Sequence, residues 1–137
     1  MTAKEYLSRY LAANREIDAL LDQRQQLWDK VTRVTATISP DTVMGGQPTP
    51  SSDIIAKLLD IESEINRKID LLVDIKHDIE DVINSLVDDR QRDVLRLRYI
   101  NGYTWERIAV ESHYSYQWAC KLHGYALANI AKILDRN

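Results

Sequence analysis

Apolar and aromatic residues return at alternating steps of four and three through two long segments of this 137-residue chain, and few folds accommodate that pattern. In the first segment, Thr2 to about Val34, the series is Tyr6, Tyr10, Ala13, Ile17, Leu20, Leu27, Val31 and Val34, with Arg24 as its polar intruder. The second segment starts at Ser52 or Asp53 as N-cap and carries Ile54, Leu58, Ile61, Ile65, Leu72, Ile75, Ile79, Val82 and Leu86, with Lys68 interrupting. Such spacing keeps one stripe of an α-helix facing another helix, and a helix of about 34 residues would run roughly 50 Å. Between the two segments lie Pro40, Pro48, Pro50, Gly45 and Gly46 among serines and threonines, which break any helix and predict a loop over 38–52. Two long helices joined by such a loop predict an antiparallel coiled-coil hairpin over residues 1–87.

Both stripes are wider than one partner requires. Leu7, Leu11, Leu21 and Trp28 flank the first; Ile55, Leu59, Ile69, Val73, Ile83 and Val87 flank the second. The expected partner for the surplus is a second copy of the chain, giving a four-helix bundle and a homo-oligomer. Arg24 and Lys68 read as register-setting polar residues or snorkelling stems.

The rest of the chain, 88–137, is patterned differently. Val87-Asp88-Asp89 ends the long helix and caps the next, which runs from Arg90 to Ile100 with Val94, Leu95, Leu97 and Tyr99 among four arginines. Asn101-Gly102 stops it, with Gly102 placed to take a positive φ. Thr104 caps a short helix whose inward side is Ile108 and Ala109, and Ser115 caps a longer one with Ala119, Leu122, Ala126 and Leu127 on one stripe. A short helix, a tight turn and a longer helix predict a helix-turn-helix, whose second helix enters the DNA major groove. The expected fold is therefore all-α: the hairpin, then this DNA-binding unit.

Charge divides along the same line. Residues 1–88 hold 10 basic and 16 acidic side chains, −6, and residues 89–137 hold 8 and 5, +3, within the whole-chain −3. The basic excess sits with the predicted DNA-reading unit. A lone cysteine, Cys120, rules out an internal disulfide framework and predicts a reducing cytoplasm. Lys4, Glu5 and Arg9 argue against a signal peptide, and no run approaches the ~18 apolar residues that span a bilayer.

Val94-Leu95-Arg96-Leu97-Arg98-Tyr99, Gly102, Thr104-Trp105-Glu106-Arg107-Ile108-Ala109, Ser115 and Ala126-Leu127 resemble the region-four domain of bacterial sigma factors over about residues 86–134. The whole chain is similar to phage-encoded transcriptional regulators of the ArpU/RinA type. That likeness rests on Thr35-x-x-Ile38-Ser39-Pro40, on Leu58-x-Asp60-Ile61-Glu62-x-Glu64-Ile65-Asn66-x-x-Ile69-Asp70-x-Leu72-Val73-Asp74-Ile75-Lys76, and on Arg98-Tyr99-Ile100-x-Gly102-Tyr103-Thr104-Trp105-x-x-Ile108-Ala109 followed by Tyr114-Ser115. The resemblance implies a non-enzymatic regulator of phage or prophage genes, of the late class, in the cytoplasm of a bacterial host, with RNA polymerase as a further partner. Two positions depart from the region-four pattern. Ser112 stands where an apolar residue buries, and His113 stands at the turn position that takes Gly or Asn.

The resemblance places Tyr116, Gln117, Cys120 and Lys121 on the face toward the major groove. Gln117 can pair bidentately with adenine, and Lys121 can reach guanine or a phosphate. Thr104, Arg107 and Arg98 are the expected backbone-phosphate contacts. Trp105 and Trp118 read first as packing residues. Neither Cys120 with His123 nor the acidic run Asp70, Asp74, His77, Asp78 and Asp81 makes a convincing metal site, so no cofactor is expected. Alternatives of other classes remain: a small terminase-like DNA-recognition subunit, a coiled-coil adaptor that has lost DNA binding, and a metal-dependent hydrolase. The last lacks the paired acidic motifs such an enzyme needs.

Overall fold

The computed structural model describes residues 1–36 and 52–136 of the chain. Among them the fold is all-α: α1 (Ala3–Ala36), α2 (Ser52–Asn84), α3 (Asp89–Tyr99), α4 (Trp105–Ser112) and α5 (Tyr116–Asp135). The expected loop at 38–52 lies outside the described residues except for Ser52, the first residue of α2; the side chain of Val34 lies outside them too. No helix among the described residues is long and apolar enough to cross a membrane.

The described residues form two compact units, Met1–Asn14 with Leu71–Asn137, and Arg15–Asp70. In the first, α1 opens on a capping box. The Thr2 hydroxyl accepts from the Glu5 N–H at 3.1 Å, and the Thr2 N–H donates to the Glu5 carboxylate at 3.2 Å. Ala3 and Leu7 of α1 share a core with Ile79, Ile83 and Leu86, with Leu95 and Tyr99 of α3, and with Ala126 and Ile130 of α5. The residue boundary at 87/88 read from the sequence thus falls inside this unit, with Leu86 and Leu95 in one core. Leu7 is fully buried whereas Tyr6 and Tyr10 are half-buried, so the flanking leucine and not the aromatic stripe carries the deepest contact.

The α2–α3 corner is held by polar groups. Asp88 has extended backbone and accepts from the N–H groups of Arg90 (2.9 Å) and Gln91 (3.4 Å), satisfying two of the orphan donors of α3. Arg92 donates to the carbonyls of Leu86 and Val87, and Arg96 to the side chain of Asn84. Gln91, a buried polar side chain, is bonded to Asn129 at 3.0 Å. The turn after α3 passes through Gly102 with φ 72°, where an L side chain is strained, and a Cβ built there would lie 3.6 Å from the Leu11 side chain.

In the second unit, Ile17 of α1 and Leu58 and Ile65 of α2 are buried. Glu16 meets Lys68 at 2.8 Å and Arg24 meets Glu62 at 2.9 Å, so α2 numbers fall as α1 numbers rise and the two segments run antiparallel. Arg24 and Lys68, the two polar intruders, are these cross-helix partners. Of the flanking stripe, Ile55, Leu59 and Ile69 in this unit stay in solvent, as do Val73 and Val87 in the first, whereas Ile83 is buried.

Candidate functional site

α3, α4 and α5 pack on one another around Val94, Leu95, Ile108, Leu122 and Ile130, each wholly removed from solvent or nearly so. The Thr104 hydroxyl accepts from the Arg107 N–H at 3.2 Å and starts α4. α4 stops at His113, which is left-handed with φ 60° and ψ 30°. Its N–H meets the Val110 carbonyl at 3.3 Å while the Tyr114 N–H reaches back to Ala109 at 3.1 Å, the pairing of a Schellman stop. Ser112 is only half-buried and turns its hydroxyl back to the Ile108 carbonyl, which satisfies a polar group at a position that usually takes an apolar one. Ser115 restarts the chain, accepting from the Trp118 N–H at 3.1 Å, and α5 follows.

α5 has two distinct sides. Ala119, Leu122, Ala126 and Ile130 are buried. Tyr116, Gln117, Lys121, Gly124, Tyr125 and Ala128 are exposed, and Cys120 lies half-buried at the margin. Three of the four expected groove residues therefore share one open face, and Cys120 presents less of itself there. No Asp or Glu occurs from Ser112 to Leu134, in a chain with 21 acidic residues, so this face offers an anion no carboxylate of its own helix. Gly124 is exposed in mid-helix, and a Cβ built on it would meet nothing within 4 Å.

The three expected phosphate contacts are placed differently from one another. Thr104 is exposed but occupied as a cap. Arg107 is exposed, with its guanidinium 3.7 Å above the Tyr103 ring and 3.9 Å from Glu111. Arg98 is half-buried, donates to the Tyr103 carbonyl at 2.9 Å and lies 4.9 Å from the Trp105 ring centre. It braces the approach to α4. Trp105 packs edge-on to the His123 ring at 4.6 Å, and Trp118 has Arg90 5.9 Å from its centre, so both tryptophans serve internal contacts.

His123 does not pair with Cys120. It turns inward, where its Nε2 lies 2.7 Å from the Tyr99 hydroxyl. Burial, then the charges of Arg98 and Lys4, lower its pKa to about 4, so the ring is neutral at pH 7. Burial also raises the pKa of Tyr99. Among the described residues no three side chains of the His, Cys, Asp and Glu types converge as a metal site, and His77 pairs only with Asp81, at 3.4 Å on the surface.

Residues 32–119 match the family described as "Protein of unknown function (DUF1492)". The chain belongs to this family. No curated protein and no solved structure matches the chain. The DUF1492 match takes in α2, α3, α4 and the first turn of α5, and so includes Thr104, Arg107, Tyr116 and Gln117.

Sequence reasoning missed the internal use of the α3 arginines. Arg90, Arg92, Arg96 and Arg98 reach Asp88, the Leu86 and Val87 carbonyls, Asn84 and the Tyr103 carbonyl respectively. Their spacing alone gave no hint of these partners, which lie in turns and at helix ends.

Proposed function

We propose that this DUF1492 protein is a non-enzymatic, sequence-specific DNA-binding regulator of transcription, in which α4, the His113 turn and α5 act as a helix-turn-helix and α5 reads the major groove. The open α5 face carries the reading. It combines a hydrogen-bonding Gln117, a cation at Lys121 with no ion-pair partner among the described residues, two exposed tyrosines and no carboxylate. Gln117 and Lys121 supply base contacts, Tyr116 a thymine methyl or phosphate contact, and Thr104 and Arg107 backbone contacts. Arg98 acts indirectly, through the Tyr103 carbonyl.

With so few free cations, one copy binds weakly, and two copies on a repeated site supply the phosphate contacts that one lacks. The long α1 and α2 helices set the oligomeric state or meet RNA polymerase. Phage or prophage late genes in a bacterial cytoplasm are the setting the sequence resemblance implies. DNA binding followed by fluorescence anisotropy across a salt series tests this. The expected outcome is a log-log slope against salt that Lys121→Ala makes shallower by about 1. Absence of binding even at low salt would favour an adaptor that no longer holds DNA.

A further inference from the structure

α2 carries a second heptad seam beside the buried one. Ile55, Leu59, Glu62, Asn66, Ile69 and Val73 follow steps of 4, 3, 4, 3 and 4, and its four apolar members are between 41% and 66% exposed. Of the other ionisable residues, Lys57, Asp60, Glu64, Arg67, Lys68 and Asp74 fall on other sides of the helix, and Asp70 borders the seam beside Asn66. The carboxylate on the seam itself, Glu62, is held at 2.9 Å by Arg24 of the same chain, so its charge is balanced before a partner arrives. In the unit formed by Arg15–Asp70, Trp28, itself 48% exposed, joins Val31, Ile55, Leu58 and Leu59 around an apolar groove of about 350 Å³ with Glu62 at its rim.

The order of residue types on this seam is a palindrome: apolar, apolar, polar, polar, apolar, apolar. Reversed on itself about the midpoint between Glu62 and Asn66, it sets Leu59 against Ile69, Glu62 against Asn66 and Ile55 against Val73. That is the signature of an isologous two-fold contact, in which each residue meets its mate twice. Two polar residues, Glu62 and Asn66, at the centre of a seam that is apolar at both ends fix register, because any slip buries them against hydrocarbon. The Asn66 amide can donate to the carboxylate of Glu62 in the second copy, which spares both groups that penalty. The exposed apolar side chains present on the order of 500 Å² per copy, as large as the biggest patch on a typical monomer and approaching the ~800 Å² per partner of a standard interface.

We propose that two copies pair antiparallel through this α2 seam, with Leu59 of each chain against Ile69 of the other, Glu62 against Asn66, and a partner apolar side chain seated in the Trp28 groove. This rests on the oligomer in the functional reading and specifies its partner surface and register; it does not rest on DNA recognition.

The test uses full-length chains with Cys120 replaced by Ser. Leu59→Cys chains are mixed with Ile69→Cys chains and oxidised, and the covalent products are resolved. In the proposed register residues 59 and 69 of opposing chains face each other, while the two copies of residue 59 lie ~15 Å apart along the helix, beyond disulfide reach. The mixture is expected to give a covalent dimer and each variant alone to give none. A Leu59→Cys dimer as abundant alone as in the mixture would establish a parallel pairing and overturn the proposal. A wild-type dimer in sedimentation with no cross-link in the mixture would place the interface elsewhere and also overturn it. A strict monomer at micromolar concentration would remove the oligomer itself, whatever the DNA measurements show.

Discussion

Gly124 carries a cost that nothing inside the chain explains. A glycine in the middle of a helix is less stable than alanine by roughly 0.5–1 kcal/mol, and here a methyl group would enter open space. Its place beside Lys121 and Tyr125 gives it a use only if another surface comes close to the α5 backbone. Gly124→Ala is therefore expected to raise the melting temperature by a few degrees while weakening DNA binding several-fold. A variant that is more stable and binds unchanged would remove Gly124 from the interface. His123 shows how differently a residue can be used three positions from Cys120. The ring turns away from Cys120, packs against Trp105 and bonds Tyr99. Its folded pKa of about 4 lies below the ordinary 6.5, so the unfolded chain binds the proton more readily. The stability this gives is full above pH ~6.5 and is lost as pH falls toward 4. Melting curves across that window should show the loss, and His123→Gln should flatten it. Asp88 also titrates at the acid end, its pKa lowered first by its bond to the Arg90 side chain, so the His123 variant is the necessary control.

At the scale of elements, caps and stops explain why the helices begin and end where they do. Asp88, Thr104 and Ser115 each accept backbone N–H groups at the start of a helix, and Gly102 and His113 take the left-handed conformation that ends one. Ser115→Ala should cost about 1 kcal/mol in denaturant unfolding and fray the turn that carries Tyr116 and Gln117. His113→Gly should stabilise by up to about 1 kcal/mol, since the left-handed region costs a β-carbon but not glycine. If His113→Gly is destabilising, the imidazole makes a contact that outweighs the strain. These caps were legible because capping chemistry is local: Asp, Ser and Thr announce themselves within three residues of the N–H they bond. The α3 arginines were not legible, because Arg92 and Arg96 reach partners made available only by the turn after α2. Periodicity found both α2 stripes but could not rank them. Ile79 and Ile83, one from each stripe, are both fully buried, whereas Ile55 and Leu59 are not, because burial depends on what packs alongside and not on spacing.

For the whole molecule, the division of charge acquires a more specific meaning. The +3 of residues 89–137 is not one open basic face: the arginines of α3 are each tied to a partner within the fold, and the carboxylate-free stretch from Ser112 to Leu134 is what leaves α5 open to an anion. Weak reading by one copy then makes pairing through α2 part of recognition. A Leu59→Asp variant, which puts a charge on the exposed seam without touching α5, should dissociate copies and lower affinity for a two-site DNA far more than for a single site. Loss of equal size on both would uncouple pairing from recognition. The central claim, that the α5 face reads sequence, is tested most directly by sequencing DNA selected from a random pool by the wild-type protein at moderate salt, beside Gln117→Ala and Lys121→Ala. The account predicts one preferred motif, relaxed at an adenine position by Gln117→Ala and recovered more weakly with Lys121→Ala. A wild-type protein that enriches no motif would contradict it.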